Sequence, residues 1–159
     1  MAALLQWLDR WERSVCIAAF SLLASVLFAD VLLREILGNG LSWAHQTGIY
    51  ANLVVVLFGM GLATSAGSHL RPRFADHWLP QAWQAAVARL AHALTATFLL
   101  LFAGLALQFS LETRALEESA TVLRIPLWPM QLLLVVGFSA SAVRHICYCL
   151  RPELAPGDS

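Results

Sequence analysis

Charge is scarce in this sequence. Only 13 % of its 159 residues are Asp, Glu, Lys or Arg, about half the share of an ordinary soluble domain. Lysine is absent, all ten basic side chains being Arg, and ten acidic residues bring the formal net charge to zero. That balance gives no bulk electrostatic footprint for nucleic acid. Cysteine is sparse as well. Cys16, Cys147 and Cys149 are an odd count without paired spacing, which argues against a disulfide framework. Two apart on a predicted helix, Cys147 and Cys149 point about 200° away from each other. They suit neither a disulfide nor a shared metal and read as small apolar side chains. Catalytic signatures are missing: no Gly-x-Ser-x-Gly, no phosphate-binding loop, no His-Glu-x-x-His and no dinucleotide fingerprint occurs. Ser119 follows Glu118 but has no His near it in sequence. No catalytic, cofactor-binding or metal residue is therefore expected, and no enzymatic activity.

Apolar side chains take the place of charge. Fifty-nine per cent of the residues are hydrophobic, against roughly 45–50 % in soluble domains. One modest domain of this length cannot hide that much apolar surface, so the surplus is expected to face lipid.

A membrane-spanning helix needs about 20 mainly apolar residues, and four stretches qualify. The first runs from Ser14 to Leu37, apolar to Ala29 and then carrying Asp30 and Arg34. The second, Trp43 to Ala66, has no charge. The third, Leu90 to Leu111, has only His92 as a titratable group, and the fourth, Ile125 to Val143, is uncharged. The apolar part of the first stretch exceeds the 7–15 residues usual in a signal peptide and has no small-x-small cleavage site after it. The expected fold is an all-α membrane protein, residues 1–159 forming one domain of four transmembrane helices.

The connections carry the topology. Gly38-Asn39-Gly40-Leu41 is a tight turn, so spans one and two are antiparallel neighbours, with Ser42 placed to cap span two. Residues 1–13 put Leu4, Leu5, Trp7, Leu8 and Trp11 on one helical face against Asp9, Arg10, Glu12 and Arg13. The segment from Gly67 to Arg89 mixes Phe74, Trp78, Leu79 and Trp83 with Arg71, Arg73, Asp76 and His77, broken by Pro72 and Pro80. Both read as amphipathic segments at the membrane surface, where tryptophan favours the headgroup level; residues 151–159 form a polar tail. The N-terminus, middle loop and C-terminus share one side and carry seven arginines: Arg10, Arg13, Arg71, Arg73, Arg89, Arg144 and Arg151. The opposite side carries three, Arg34, Arg114 and Arg124, together with Glu35, Glu112, Glu117 and Glu118. The positive-inside rule puts both termini in the cytoplasm.

Few residues within or beside the spans carry chemistry. Asp30 and Arg34 are four apart, share a helix face and pair. Such a pair either settles the helix end or offers a polar contact to another subunit inside the membrane. His92 and His145 lie at similar depth on spans three and four, the arrangement of two axial haem ligands; placement at the interface explains them equally. His45 has no partner at its depth, and His69 and His77 match no zinc spacing with a cysteine. Small residues recur at helical spacing in Gly59, Ala63 and Gly67, and in Gly137 and Ser141. They let helices approach closely in lipid, inside the bundle or against a partner.

The order of these features resembles the small membrane subunit of tripartite ATP-independent periplasmic (TRAP) transporters over almost the whole chain. An Arg closes span one in Val31-Leu32-Leu33-Arg34, and a short turn leads to Ser42-Trp43. Tyr50 and the run Phe58-Gly59-Met60-Gly61-Leu62-Ala63 follow, then His69-Leu70, Asp76 and Leu79-Pro80. The last outer loop reads Glu118-Ser119-Ala120-Thr121-Val122-Leu123-Arg124-Ile125-Pro126-Leu127-Trp128. One departure stands out: the family has acidic residues after the span-two Trp, where this chain has Ala44-His45-Gln46. Pro72 is a second irregularity.

The resemblance implies a non-catalytic partner in the bacterial inner membrane, without a cofactor of its own. The chain would brace a large membrane subunit that carries the substrate and sodium sites. It would also help dock a periplasmic substrate-binding protein for sodium-driven uptake of an organic acid. Asp30, Arg34, Trp43, His69, Ser119, Pro126 and Trp128 are the candidate partner-interface residues. Gly59, Ala63, Gly67, Gly137 and Ser141 are the candidate helix-packing residues. Two alternatives have different signatures. A haem-bearing anchor of a quinone-linked oxidoreductase would use His92 and His145. A self-sufficient homodimeric exporter would need a carboxylate at mid-membrane depth, whereas Asp30 lies far out beside Arg34.

Overall fold

The computed structural model describes residues 1–66 and 81–155. Its four helices are α1 (Ala2–Leu37), α2 (Ala44–Ser65), α3 (Gln81–Ala115) and α4 (Trp128–Leu150), followed by a short 3-10 turn at Pro152–Leu154. Each is long and apolar enough to cross a membrane. The 22 residues of α2 rise about 33 Å, close to the roughly 30 Å of a hydrocarbon core.

Local sequence sets the helix ends. No Gly or Pro interrupts α1 until Gly38, which takes a left-handed φ of 71° and donates its N–H to the Arg34 carbonyl. Glycine adopts that φ without a Cβ penalty, which makes it the usual helix stop. Ser42 does not cap α2: the N-cap position is Trp43, and no side chain caps it. Pro129 falls in the first turn of α4, where a missing N–H costs nothing. Arg151, ahead of Pro152, turns to extended backbone at φ −135° and ends that helix.

Packing follows from antiparallel hairpins. α1 lies along α2, α3 lies along α4, and the two hairpins meet chiefly through α2 and α4. The helices therefore stand in the order α1, α2, α4, α3. Burial agrees: 33 % and 39 % of the apolar windows of α2 and α4 are covered, but only 6 % and 17 % of those of α1 and α3. Small residues bring the central helices close. A Cβ on Gly48 would meet Leu23 and Leu27 of α1 at 3.3–3.4 Å, and one on Gly137 would meet Leu57 Cβ at 3.1 Å. Leu94, Phe98, Leu101 and Leu105 of α3 are exposed, the surface lipid requires.

The segment 1–13 is continuous with span one. α1 has 36 residues, about 54 Å, and so overshoots a bilayer core unless it tilts. Its sides differ from the simple amphipathic pattern. Leu5 and Leu8 are buried, while Leu4 and Trp7 are exposed, and Glu12 from the charged face is 1 % exposed. Of the middle segment, residues 67–80, including Arg71, Pro72, Asp76 and Trp78, lie outside the described residues, whereas residues 81–89 form the start of α3 and are continuous with span three.

Candidate functional site

Two ends of the molecule hold its polar structure. At the end bearing the α1–α2 turn, Asp30 is buried and Arg34 exposed. Their side chains bond at 2.6 Å, and the second Asp30 oxygen accepts the backbone N–H of Leu41. The carboxylate thus ties the last turn of α1 to the chain entering α2. Gly40 makes the approach possible, because a Cβ there would sit 2.6 Å from Asp30 Oδ1.

The connection between α3 and α4 is folded rather than loose. Leu127 N–H donates to the Glu118 carbonyl, Ala120 N–H to Ile125 and Arg124 N–H to Ala120, at 2.8–3.1 Å. Ser119 and Pro126 form an antiparallel bridge. Glu117 and Arg124 accept left-handed φ values of 53° and 50° to make these turns. Ala120 is 3 % exposed and anchors the loop, whereas Ser119, Arg124 and Pro126 face outward. Two tethers fix it to the helices. Leu123 N–H donates to Gln46 Oε1 at 3.1 Å, and Gln46 Nε2 donates to the Tyr50 hydroxyl at 3.0 Å. Trp128 is held from α3: Ser110 Oγ donates to its carbonyl at 3.0 Å, and the Arg114 guanidinium lies 5.3 Å from its ring centre, in cation–π range. The departure Ala44-His45-Gln46 thus has a structural use. Ala44 is fully buried, and Gln46, unlike an acid, both accepts from the loop and donates within α2.

The opposite end holds a node that sequence reasoning missed. Arg144 of α4 is fully buried. Its guanidinium donates to Glu12 at 2.7 Å, to Asp9 at 2.8 Å and to the Gly61 carbonyl. Three helices meet there. Gly61 has no room for a side chain, since a Cβ would lie 2.7 Å from both Glu12 carboxylate oxygens. Around the node, Trp11 packs edge-on to Phe58 with centroids 5.1 Å apart, and Leu5 packs with Cys147 and Tyr148. Buried charge is costly unless paired and hydrogen-bonded; this arrangement pairs the guanidinium and bonds both terminal nitrogens, leaving Nε without a partner among the described residues. By sequence Arg144 reads only as one of the arginines flanking a span. Its partners lie 132 and 135 residues away, beyond any local pattern.

His92 and His145 do come together, but not around an open slot. Their Nδ1 atoms are 3.0 Å apart and their ring centroids 5.3 Å apart, with Tyr148 against both. Direct contact between those nitrogens leaves no space for an iron atom between them, so the pair does not fit two axial ligands gripping a haem through Nδ1.

The interface candidates gather at one end, and the packing candidates divide. Asp30, Arg34, Trp43, Ser119, Pro126 and Trp128 share the turn-and-loop end; His69 lies outside the described residues, as does Gly67. Gly137 and Ser141 are buried. Gly59 has open space beside it, with nothing within 4 Å of a built Cβ, and Ala63 is half-buried.

The sequence matches the family model described as tripartite ATP-independent periplasmic transporters, DctQ component, over residues 23–152. The chain belongs to this family. It is a small membrane component of a TRAP transporter, a multi-pass protein of the inner membrane and not an enzyme. Such transporters also contain a large membrane subunit and a periplasmic binding protein. A search of curated proteins returned no match. The family match starts after the first turns of α1, so Asp9 and Glu12 lie outside it while Arg144 and Gly61 lie within.

Proposed function

We propose that the chain braces the static part of its transporter's large membrane subunit and presents its loop end to the periplasmic binding protein. Both termini then lie in the cytoplasm, as the arginine count favours. The transporter it serves takes up an organic acid driven by sodium. The supporting observation is the ordered loop end. Residues 116–127 are held by their own backbone hydrogen bonds and pinned to α2 through Gln46 and to α3 through Trp128. A rigid platform binds without the ordering cost a floppy loop carries. Charge within the four spans is confined to Asp30, Arg34 and Glu35 near one end of span one; no Asp, Glu or Arg occurs at residues 14–29, 43–66, 90–111 or 125–143.

Uptake in cells carrying the whole transporter tests this. Ser119 is exposed and its backbone, not its side chain, makes the bridge to Pro126. Ser119→Trp is expected to abolish uptake while the chain still inserts and still co-purifies with the large subunit. Wild-type uptake from that variant overturns the docking role; loss of co-purification moves the defect to assembly.

A further inference from the structure

On α2, His45, Ile49, Asn52 and Val56 are all exposed. Their spacing of four, three and four places them on one face, which continues to Gly59 and Ala63. Asn52 is the ninth residue of α2, about 12 Å in from its start and hence deep in the span. Its amide hydrogen-bonds to no described residue. Several larger or more central polar side chains on exposed span surfaces bond within their own helix, though Ser21 and Ser25 of α1 are exposed without such a bond. Thr95 and Thr97 donate to the carbonyls four residues back, and Gln108 pairs with Glu112.

Hydrocarbon cannot satisfy an amide with two donors and an acceptor, so a lipid tail is a poor occupant of this face. Polar side chains within membranes face other protein, where amides and hydroxyls bond across helices. Next to the amide the surface suits close approach. Gly59 has open space where a side chain would be. It lines an apolar groove of about 420 Å³ with Cys16, Phe20, Ser21, Val55 and Leu62.

We infer that the exposed face of α2 centred on Asn52 and Gly59 receives a transmembrane helix of the large membrane subunit, which offers Asn52 an amide, hydroxyl or carbonyl partner. The inference rests on the bracing role and selects the face that performs it. α3, whose exposed polar side chains Thr95, Thr97 and Gln108 bond within their own helix, then faces lipid.

Site-specific photo-crosslinking in the assembled complex tests it. A benzophenone amino acid is placed at Asn52, at Val56 or, as control, at Phe98 of α3. Adducts to the large subunit are expected from positions 52 and 56 and not from 98. Asn52→Leu, which keeps the helix apolar and intact, is expected to lower recovery of the large subunit in detergent about three- to tenfold, while Phe98→Leu leaves it unchanged. An intact complex crosslinked from 98 but not from 52 overturns the choice of face and leaves the bracing role standing. Adducts from 52 to a second copy of the same chain also overturn it. Failure of the unsubstituted chain to co-purify with the large subunit removes the bracing role, and the inference with it.

Discussion

Gly61→Ala is a small change with a large expected effect. The added methyl would sit 2.7 Å from each Glu12 carboxylate oxygen and 2.9 Å from its Cδ, well inside contact distance. Glu12 is 1 % exposed and bonded to Arg144, so it cannot swing aside freely. Either α1 lifts from α2, an overpacking cost of about 1–3 kcal/mol, or Glu12 leaves a buried cation, for which about 3–5 kcal/mol is typical. Asp9 keeps its bond to Arg144, and replacing helical Gly by Ala returns about 1 kcal/mol. The cheaper relaxation sets the cost, so the net loss is expected at up to about 2 kcal/mol, read as a lower midpoint when the purified chain in mild detergent is titrated with a denaturing one. Gly104→Ala is the control. It adds the same methyl to a helix where nothing lies within 4 Å of it, and stability should hold or rise. In a Glu12→Ala background the obstruction is gone, so Gly61→Ala should cost close to nothing, a coupling of up to about 2 kcal/mol. If Gly61→Ala and Gly104→Ala shift the midpoint alike, the node is not the tight junction its distances describe.

The α1–α2 turn makes an asymmetric prediction: Asp30→Ala removes a buried acceptor of two bonds and should cost about 2 kcal/mol. Arg34→Ala removes an exposed partner and should cost under about 1 kcal/mol in the same titration; equal costs would contradict the bridging role of Asp30. Gly40→Val should behave like Asp30→Ala, because the larger side chain intrudes on the same carboxylate. Gln46→Ala should speed amide exchange at Leu123 while leaving mid-helix amides of α4 protected; unchanged exchange at Leu123 would show the loop to be held by other means.

The four helices were legible because length and apolarity suffice: each stretch of about 20 greasy residues has one stable form in lipid. The α1–α2 turn was legible for the same local reason, two glycines beside an Asp and an Arg four apart. The node was not. An arginine on α4, a glycine on α2 and two acids at the start of α1 share no window, and interface arginines flank most spans. A faint signal existed. The arginine count already placed Asp9, Glu12 and Arg144 on one side, and two acids among leucines and tryptophans need a cation if that helix packs inward. Gly59 and Gly61 show the other limit. They sit two apart in one run of small residues, yet one faces open space and the other is filled by Glu12, since which side of a helix meets its neighbour is set by partners the run does not contain.

The Arg144 junction also imposes an order on synthesis. The acids emerge from the ribosome with α1, and the cation they require emerges only with α4. Until then Glu12 has no counter-charge and the first hairpin has nothing to lock against. Maturation of this chain therefore closes where it began, and a nascent protein cut short before its fourth helix is expected to be recognised and degraded.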